Sequence, residues 1–233
     1  MHTPILLIES ATDTCSVALA DKTTVIAQKI CRIPKCHDTV LAPLAESVLK
    51  ENGIQAKDLS MIGVSEGPGS YMGLRIGVSL AKGIAYSANV KLFGISTLEA
   101  IAQCAVENLG GGFDTVVPMI DAGRMEVYTA TFDIRLEMTS PVEAKILDKD
   151  SFAGIMGGKV LFCGNGAPKF GELLRQTRGS LPENITVTDQ TPLASGLRFA
   201  AYKALEEGKE SNLAYFQPFY LKEFIPGKQK KLL

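Results

Sequence analysis

The order of predicted strands and helices in the first half of this chain recurs, in large part, in the second half. Apolar runs and helical spacing predict three strands, then a helix, a strand, a helix, a strand and a helix up to about residue 109. A second apolar strand that ends in an acid, Thr115–Asp121, then begins a similar order. Two related α/β halves account for this pattern, and one continuous α/β sheet with unrelated halves is the alternative.

The predicted elements divide between the two halves. The first half is predicted to contain strands at 5–8, 15–20, 23–30, 59–64 and 90–94, and helices at 37–50, 70–87 and 97–108. The second half is predicted to contain strands at 115–121, 126–132, 160–163 and 185–188, and helices at 168–177 and 193–207. Residues 134–158 give no readable pattern, and no function is assigned to them.

The densest local signal is the segment 67–77, GPGSYMGLRIG. It follows a predicted strand and opens a predicted helix, which is where phosphate-binding loops lie. Its spacing does not fit a dinucleotide fingerprint, because Met72 stands where the third glycine is needed. It also lacks the Gly-Lys-Ser/Thr of a P-loop.

Small residues recur at steps of four along the helix that this segment opens. They are Gly73, Gly77, Ala81 and Ala85. On a helix they form one smooth ridge, which lets another element approach closely. Large apolar residues occupy the other positions, so the helix needs a cover, and either the rest of the chain or a partner subunit could supply it.

Composition excludes several classes of protein. The 233 residues carry 24 Lys and Arg against 25 Asp and Glu, which argues against binding nucleic acid by bulk charge alone. Two histidines, His2 and His37, leave little for a His-based metal site. Five cysteines without a C-x-x-C pair predict neither a disulfide framework nor a zinc knuckle, and Cys15 and Cys163 are predicted to be small core residues. No leader pattern or membrane-length apolar run is found, so a cytoplasmic location is expected.

The glycine-rich segment and several other motifs bring the chain close to a known family. Residues 67–77 resemble the signature GPGSFTGLRIG of the bacterial TsaB (YeaZ-type) family of tRNA threonylcarbamoyladenosine biosynthesis proteins, with Tyr71 and Met72 as the two departures. The sequence Ile-Glu-Ser-Ala at 8–11 stands where the family has Ile-Asp-Thr-Ser. Further similar segments lie at 94–98, 120–122, 126–128 and 220–222. The resemblance spans most of the chain in the same order.

The resemblance implies a fold and a function. The fold would be α/β with two duplicated ribonuclease-H-like domains, as in actin, Hsp70 and sugar kinases, here at 1–109 and 110–233. The function would be that of a non-catalytic subunit, which binds and activates a TsaD-type subunit that transfers threonylcarbamoyl to tRNA. A TsaE-type ATPase subunit would complete the complex, tRNA would be bound indirectly, and the chain alone would form a homodimer. No cofactor is expected in the isolated chain, and ATP or ADP at the assembled complex is left open.

The resemblance also assigns site residues. The partner interface would comprise Gly67, Pro68, Gly69, Ser70, Gly73, Arg75, Gly77, Ala81, His37 and Leu41. A residual nucleotide turn would comprise Glu9, Ser10 and Asp121, and no catalytic or metal-binding residue is expected. Because the turn after Glu9 lacks glycine, ATP binding by this chain alone is not expected. If the ridge of small residues binds a partner, Gly73→Leu or Gly77→Leu abolishes partner binding and leaves the monomer folded. If the ridge packs in the core of this chain, either substitution destroys the fold.

The sequence also gives predictions for two single residues and the basic tail, and it leaves two other functions open. His37 lacks a second histidine at i+4 and is interpreted as a capping or interface residue. Arg75 lies in the first helical turn, where the dipole disfavours a cation, so a carboxylate partner is predicted in this chain or across an interface. The basic tail at 226–231 is most simply solvated, with tRNA contact as the alternative. The alternative functions are an ATP-dependent phosphotransferase and a glycoprotease-like metallopeptidase of the same superfamily.

Overall fold

A computed structural model describes residues 4–222. His2 and the basic tail at 226–231 lie outside the described residues. Within the described range, no helix is long and apolar enough to cross a membrane.

The first half forms a five-stranded sheet with three helices. Its strands are β1 (Ile5–Glu9), β2 (Cys15–Ala20), β3 (Val25–Cys31), β4 (Met61–Gly67) and β5 (Lys91–Ser96). Its helices are α1 (His37–Glu51), α2 (Tyr71–Ala88) and α3 (Thr97–Leu109). The strand order is β3-β2-β1-β4-β5, in which β2 is antiparallel to both neighbours and the other pairs are parallel.

The second half repeats this arrangement. Its strands are β6 (Thr115–Asp121), β7 (Glu126–Thr129), β8 (Phe132–Asp133), β9 (Glu143–Ile146), β10 (Val160–Cys163) and β11 (Ile185–Thr188), and its helices are α4 (Ala167–Arg178) and α5 (Arg198–Glu206). Apart from the short β8, which pairs with β6, the order is β9-β7-β6-β10-β11 with the same pattern of strand directions. Two related α/β halves of ribonuclease-H-like topology are therefore confirmed.

The central strand of the first sheet is buried on both faces, because it is covered on each side. Leu6 and Ile8 pack with residues of α1 and α2, such as Leu41. Ile5 and Leu7 point the other way, as alternate residues of a strand must, and pack with Leu197 and its neighbours. The continuous apolar run of β1 follows from this double cover.

Two predicted elements differ from those observed, and one observed strand was not predicted. The strand predicted at 126–132 is two strands, β7 and β8. Strand β9 was not predicted, because it lies at the edge of the sheet and exposes Glu143 and Ile146. The helix predicted at 193–207 begins with a 3₁₀ turn, Ala194–Leu197, where a side chain on Gly196 would overlap the backbone of α3.

The end of the described chain returns to the first sheet. The Phe219 amide donates a hydrogen bond of 2.7 Å to the Glu66 carbonyl, and Lys82 on α2 donates one of 3.0 Å to the Phe216 carbonyl. The division into domains 1–109 and 110–233, which falls between α3 and β6, stays a prediction.

Candidate functional site

The glycine-rich loop between β4 and α2 is docked on the turn that follows β1. The Ser70 amide donates a hydrogen bond of 2.7 Å to the Ala11 carbonyl, and the Ser70 hydroxyl caps α2 by accepting one from the Gly73 amide. The peptide bond between Gly67 and Pro68 is cis, and Gly67 has φ +126°, a conformation that favours glycine. The loop is thus fixed to the carboxyl end of the central strand.

The ridge of small residues on α2 is covered by this chain itself. A Cβ on Gly73 would overlap the Ser10 carbonyl oxygen, and a Cβ on Gly77 would overlap the Ser10 hydroxyl oxygen. Ala81 and Ala85 lie in the core between α2 and the sheet. The sequence left open whether this chain or a partner covers the ridge. For these four residues the cover is this chain.

This placement changes what is expected of the predicted interface. Of its ten residues, Ser70 and Arg75 are exposed and Gly69 is half-buried. The other seven are buried: Gly67, Pro68, Gly73, Gly77, Ala81, His37 and Leu41. Gly73→Leu and Gly77→Leu are therefore expected to disturb the fold, which replaces the expectation of a folded monomer that has lost only its partner. The role of these ten residues in partner binding stays a prediction.

The outer side of α2 differs from the ridge. Met72 is 60% exposed, Arg75 is exposed and Ile76 is half-buried. Among residues 4–222, no carboxylate forms an ion pair with Arg75, and its guanidinium carbon instead lies 5.0 Å from the centre of the Tyr71 ring. The carboxylate partner predicted for Arg75 is thus not found within the described part of this chain.

A groove of about 420 Å³ runs between the start of α1 and the start of α2. It is lined by Thr12, Asp13, Lys35, His37, Asp38, Ser70, Met72, Gly73 and Ile76. Nε2 of His37 lies 2.8 Å from the Thr12 carbonyl oxygen, and this hydrogen bond ties α1 to the turn after β1. His37 therefore positions the groove; α1 has no side-chain cap, and an interface role for the buried His37 stays a prediction.

A second cleft, of about 330 Å³, separates the turn after β1 from the turn after β6. It is lined by Ala11, Thr12, Asp13, Gly69, Ser70, Ile120, Asp121, Ala122, Tyr128 and Asn165. The turns after the two central strands face each other here, and the residual nucleotide turn predicted from the sequence falls at this place. The lining carries two carboxylates, Asp13 and Asp121, and neither Lys nor Arg, so the side chains of this cleft offer no cationic contact to a phosphate.

The two acids at the ends of the central strands have opposite environments. Glu9 is fully buried; its Oε1 accepts a hydrogen bond of 2.7 Å from the Ala11 amide, and its Oε2 has no hydrogen-bond partner. Burial raises the pKa of Glu9 from its ordinary 4.5 to about 7, against smaller lowering effects of hydrogen bonds to Ala11 and Ser65. Of the predicted nucleotide turn, Glu9 and Ser10 lie in the core and do not line the cleft.

Asp121 lines the cleft but is already paired. Its Oδ1 accepts hydrogen bonds of 2.6 Å from Lys169 Nζ and 2.7 Å from the Gly123 amide. Partial burial acts to raise the pKa of Asp121, but these two hydrogen bonds outweigh it and hold the pKa below its ordinary value. Lys169 also donates to the Arg124 and Glu126 carbonyls, so it holds the whole turn.

One cluster was missed by the sequence reasoning. The side chains of Cys15, Cys31 and Cys36 meet near the start of α1. The only sequence signal was the placement of Cys31 and Cys36 on either side of the predicted strand-to-helix connection.

Comparisons with known proteins agree with the family that the sequence motifs suggested. A family model described as "TsaD: tRNA N6-adenosine threonylcarbamoyltransferase" matches residues 31–225. The tRNA threonylcarbamoyladenosine biosynthesis protein TsaB of Bacillus subtilis is 32% identical over 200 residues, which cover 84% of this chain and 85% of that protein. The chain belongs to the TsaB (YeaZ) family. TsaB of Escherichia coli is 37% identical over 129 residues, a match that spans about half of each chain (55% of this one, 54% of that one).

A solved structure supports the fold assignment. YeaZ from Pseudomonas aeruginosa superposes with a TM-score of 0.76 at 24% identity, and the match covers 94% of this chain and all of that one. At this identity the likeness shows the fold alone. Family membership rests on the sequence matches, and it places the chain among proteins named for threonylcarbamoyladenosine biosynthesis.

Proposed function

We propose that this TsaB-family chain is a non-catalytic subunit in the biosynthesis of threonylcarbamoyladenosine in tRNA. On this proposal it binds and activates a TsaD-type catalytic subunit through the outer side of α1 and α2, formed by Asp38 on α1 and by Met72, Arg75 and Ile76 on α2. One observation carries the proposal: Met72 and Arg75 are exposed side by side on the helix that the family motif opens, and Arg75 has no carboxylate partner among residues 4–222. Methionine and arginine are enriched at protein–protein interfaces.

The chemistry of the cleft supports a non-catalytic role. Its lining carries Asp13 and Asp121 without a lysine or arginine, and Lys169 is engaged in holding the turn after β6. Phosphoryl transfer depends on cationic groups that stabilise the phosphate charge. Any ATP or ADP bound at the assembled complex would take its cationic contacts from a partner subunit or from the metal ion bound with it.

The proposed partners also include tRNA, a second copy of this chain and an ATPase subunit. A net charge of −1 gives this chain no excess of cations to neutralise tRNA phosphates, so we assign tRNA binding mainly to the partners. The same outer side of α1 and α2 would form a homodimer when the catalytic subunit is absent. A TsaE-type ATPase completes the proposed complex, in the cytoplasm.

Two acidic substitutions on the outer side of α2 test the interface. The double variant Met72→Glu, Arg75→Glu is expected to weaken binding to the TsaD-type subunit of the same genome by at least about tenfold, because it places charge where an interface core needs apolar contact and a cation. Binding is measured by titration calorimetry, and activation by threonylcarbamoyladenosine formation on tRNA with both subunits and the ATPase present.

Arg178→Glu is the matched control. Arg178 is exposed at the end of α4, which follows β10 as α2 follows β4. This variant should bind and activate like the parent chain. If the double variant, folded by circular dichroism, also binds like the parent, the interface lies elsewhere. If the parent chain itself gives no increase in modified tRNA, the proposed function is wrong.

A further inference from the structure

Three thiols meet where β2, β3 and α1 come together. Cys15 and Cys31 are paired directly opposite each other in the antiparallel β2–β3 ladder, and Cys36 immediately precedes α1. Their three sulfur atoms lie within 4.8 Å of one another, and Sγ of Cys31 is 3.1 Å from Sγ of Cys36. None of the three cysteines lines the groove or the cleft described above.

The distance between the sulfur atoms of Cys31 and Cys36 distinguishes a metal site from a disulfide-forming pair. Two thiolates bound at about 2.3 Å to one tetrahedral zinc ion stand about 3.8 Å apart. A disulfide needs the two sulfurs at about 2.0 Å. At 3.1 Å the pair is closer than zinc ligands and needs an approach of only about 1 Å to bond.

The third thiol of the cluster is buried and protonated. Cys15 is buried, and burial raises the pKa of its thiol to about 12. A thiol with such a pKa keeps its proton near neutral pH, so Cys15 is not a nucleophile. The pair Cys31–Cys36 is left as the reactive part of the cluster.

Cys31 and Cys36 are reachable by a small reagent. Both are half-buried, and the loop between them, residues 32–35, is exposed. A hydrogen bond from the Ile33 amide is the main cause that lowers the pKa of Cys31, and the Cys36 thiol donates a hydrogen bond of 2.8 Å to the Ile33 carbonyl. Because its hydrogen bond to the Ile33 carbonyl holds the Cys36 proton, Cys31 is the thiol that attacks first.

We propose that Cys31 and Cys36 are a thiol–disulfide exchange site. They react with low-molecular-weight disulfides such as oxidised glutathione, and a reversible disulfide forms between the two cysteines. The Cys31 thiolate attacks one glutathione sulfur, so the glutathione disulfide breaks and one glutathione thiolate leaves. The Cys36 thiolate then attacks Sγ of Cys31 and displaces the second glutathione. Two protein thiols are oxidised, one glutathione disulfide is reduced, and the two protons end on the two released glutathiones.

The bond would tie the end of β3 to the start of α1. Its neighbours Lys35 and His37 line the groove between α1 and α2. The oxidised and reduced forms therefore differ beside the outer side of α1 and α2, although the exchange chemistry itself does not depend on the proposed function.

Peptide mapping of the oxidised chain tests the site. The full chain is equilibrated with glutathione buffers of increasing oxidised fraction, alkylated and digested with trypsin. Cleavage after Lys29, Arg32, Lys35 and Lys50 separates the two cysteines, so the disulfide joins fragment 30–32 to fragment 36–50. We expect this joined pair to appear, two of the five free thiols to be lost, and both changes to be reversed by dithiothreitol.

Two variants keep the test sharp. Cys36→Ser should stop the reaction at the mixed glutathione disulfide on Cys31, whereas Cys104→Ser, at a buried cysteine in α3, should leave the 31–36 bond unchanged. The proposal is overturned if both thiols remain free in oxidised buffer or if the bond joins Cys15. It is also overturned if the purified chain releases one equivalent of zinc to a colorimetric chelator, because the cluster would then be a metal site.

Discussion

Gly77→Ala is expected to lower the free energy of unfolding by about 1–3 kcal/mol, the usual cost of overpacking a close-packed site. The added methyl group would overlap the Ser10 hydroxyl oxygen and would lie 3.1 Å from Ser10 Cβ. Rotation of the Ser10 side chain can move Oγ away, but Cβ is fixed to the buried turn after β1, which cannot move without disturbing the central strand. Urea denaturation followed by circular dichroism measures the loss.

Gly83→Ala is the matched control on the same helix. Gly83 is exposed, and a Cβ there would meet nothing within 4 Å. Alanine has the higher helix propensity, so this variant should gain about 1 kcal/mol. Equal stabilities of the Gly77→Ala and Gly83→Ala variants would show that Ser10 does not close the ridge, and a partner would again be the candidate cover.

A second substitution separates the two glycines of the ridge. Ser10→Gly removes both the Oγ and the Cβ that crowd position 77, and the next atom, Cγ2 of Ile8, is at an ordinary 3.8 Å. Gly77→Ala should therefore cost much less in the Ser10→Gly background. Gly73→Ala should not be rescued, because its methyl group would overlap the carbonyl oxygen of residue 10, which every residue carries. Double-mutant cycles report this difference as a coupling energy.

The elements that the sequence predicted well are those with strong local signals. The apolar run of β1, the turn residues from Gly67 to Gly69 and the four-residue spacing on α2 each act over a short stretch, so they can be read without knowing the fold. Strand β9 has no such signal, since an edge strand needs no apolar face on its open side. Its pairing with β7 determines it instead.

The cover of the ridge and the thiol cluster depend on long-range register, which local patterns do not contain. Ser10 meets Gly77 because β1 and β4 are parallel neighbours, so the end of β1 lies beside the start of α2. Cys15 pairs with Cys31 because an irregularity at Leu19 and Ala20 shifts the β2–β3 register by one residue. A one-residue shift changes every cross-strand pair, and nothing in the sequence marks it.

The buried Glu9 is expected to make the protein less stable as pH rises from about 5 to about 8. Burial raises the pKa of Glu9 from 4.5 to about 7, so in this range the unfolded chain releases the proton while the folded chain still holds it. Stability falls as pH rises through this window and levels off once both states are ionised. At about 1.4 kcal/mol for each pKa unit, the fall attributable to Glu9 is about 3 kcal/mol.

Glu9→Gln is expected to remove this part of the pH dependence. The amide keeps an acceptor for the Ala11 hydrogen bond and cannot ionise, so it resembles the protonated acid. Burial also raises the pKa values of Glu66 and Glu99, and the wild-type slope includes their contributions. The difference between wild type and Glu9→Gln, measured by urea denaturation from pH 5 to pH 8.5, isolates Glu9.

Asp121→Asn is the control from the equivalent place in the second half. Hydrogen bonds from Lys169 and the Gly123 amide hold the pKa of Asp121 below its ordinary value despite partial burial, so its contribution to stability is lost only as the pH falls into the acid range. This variant should therefore keep the wild-type slope between pH 5 and pH 8. Parallel profiles for wild type and Glu9→Gln would contradict the buried, protonated state of Glu9. A diverging pair would show that the acid at the end of β1 serves packing and turn geometry, because a carboxyl that holds its proton near neutral pH and does not line the cleft offers no charge to a ligand there.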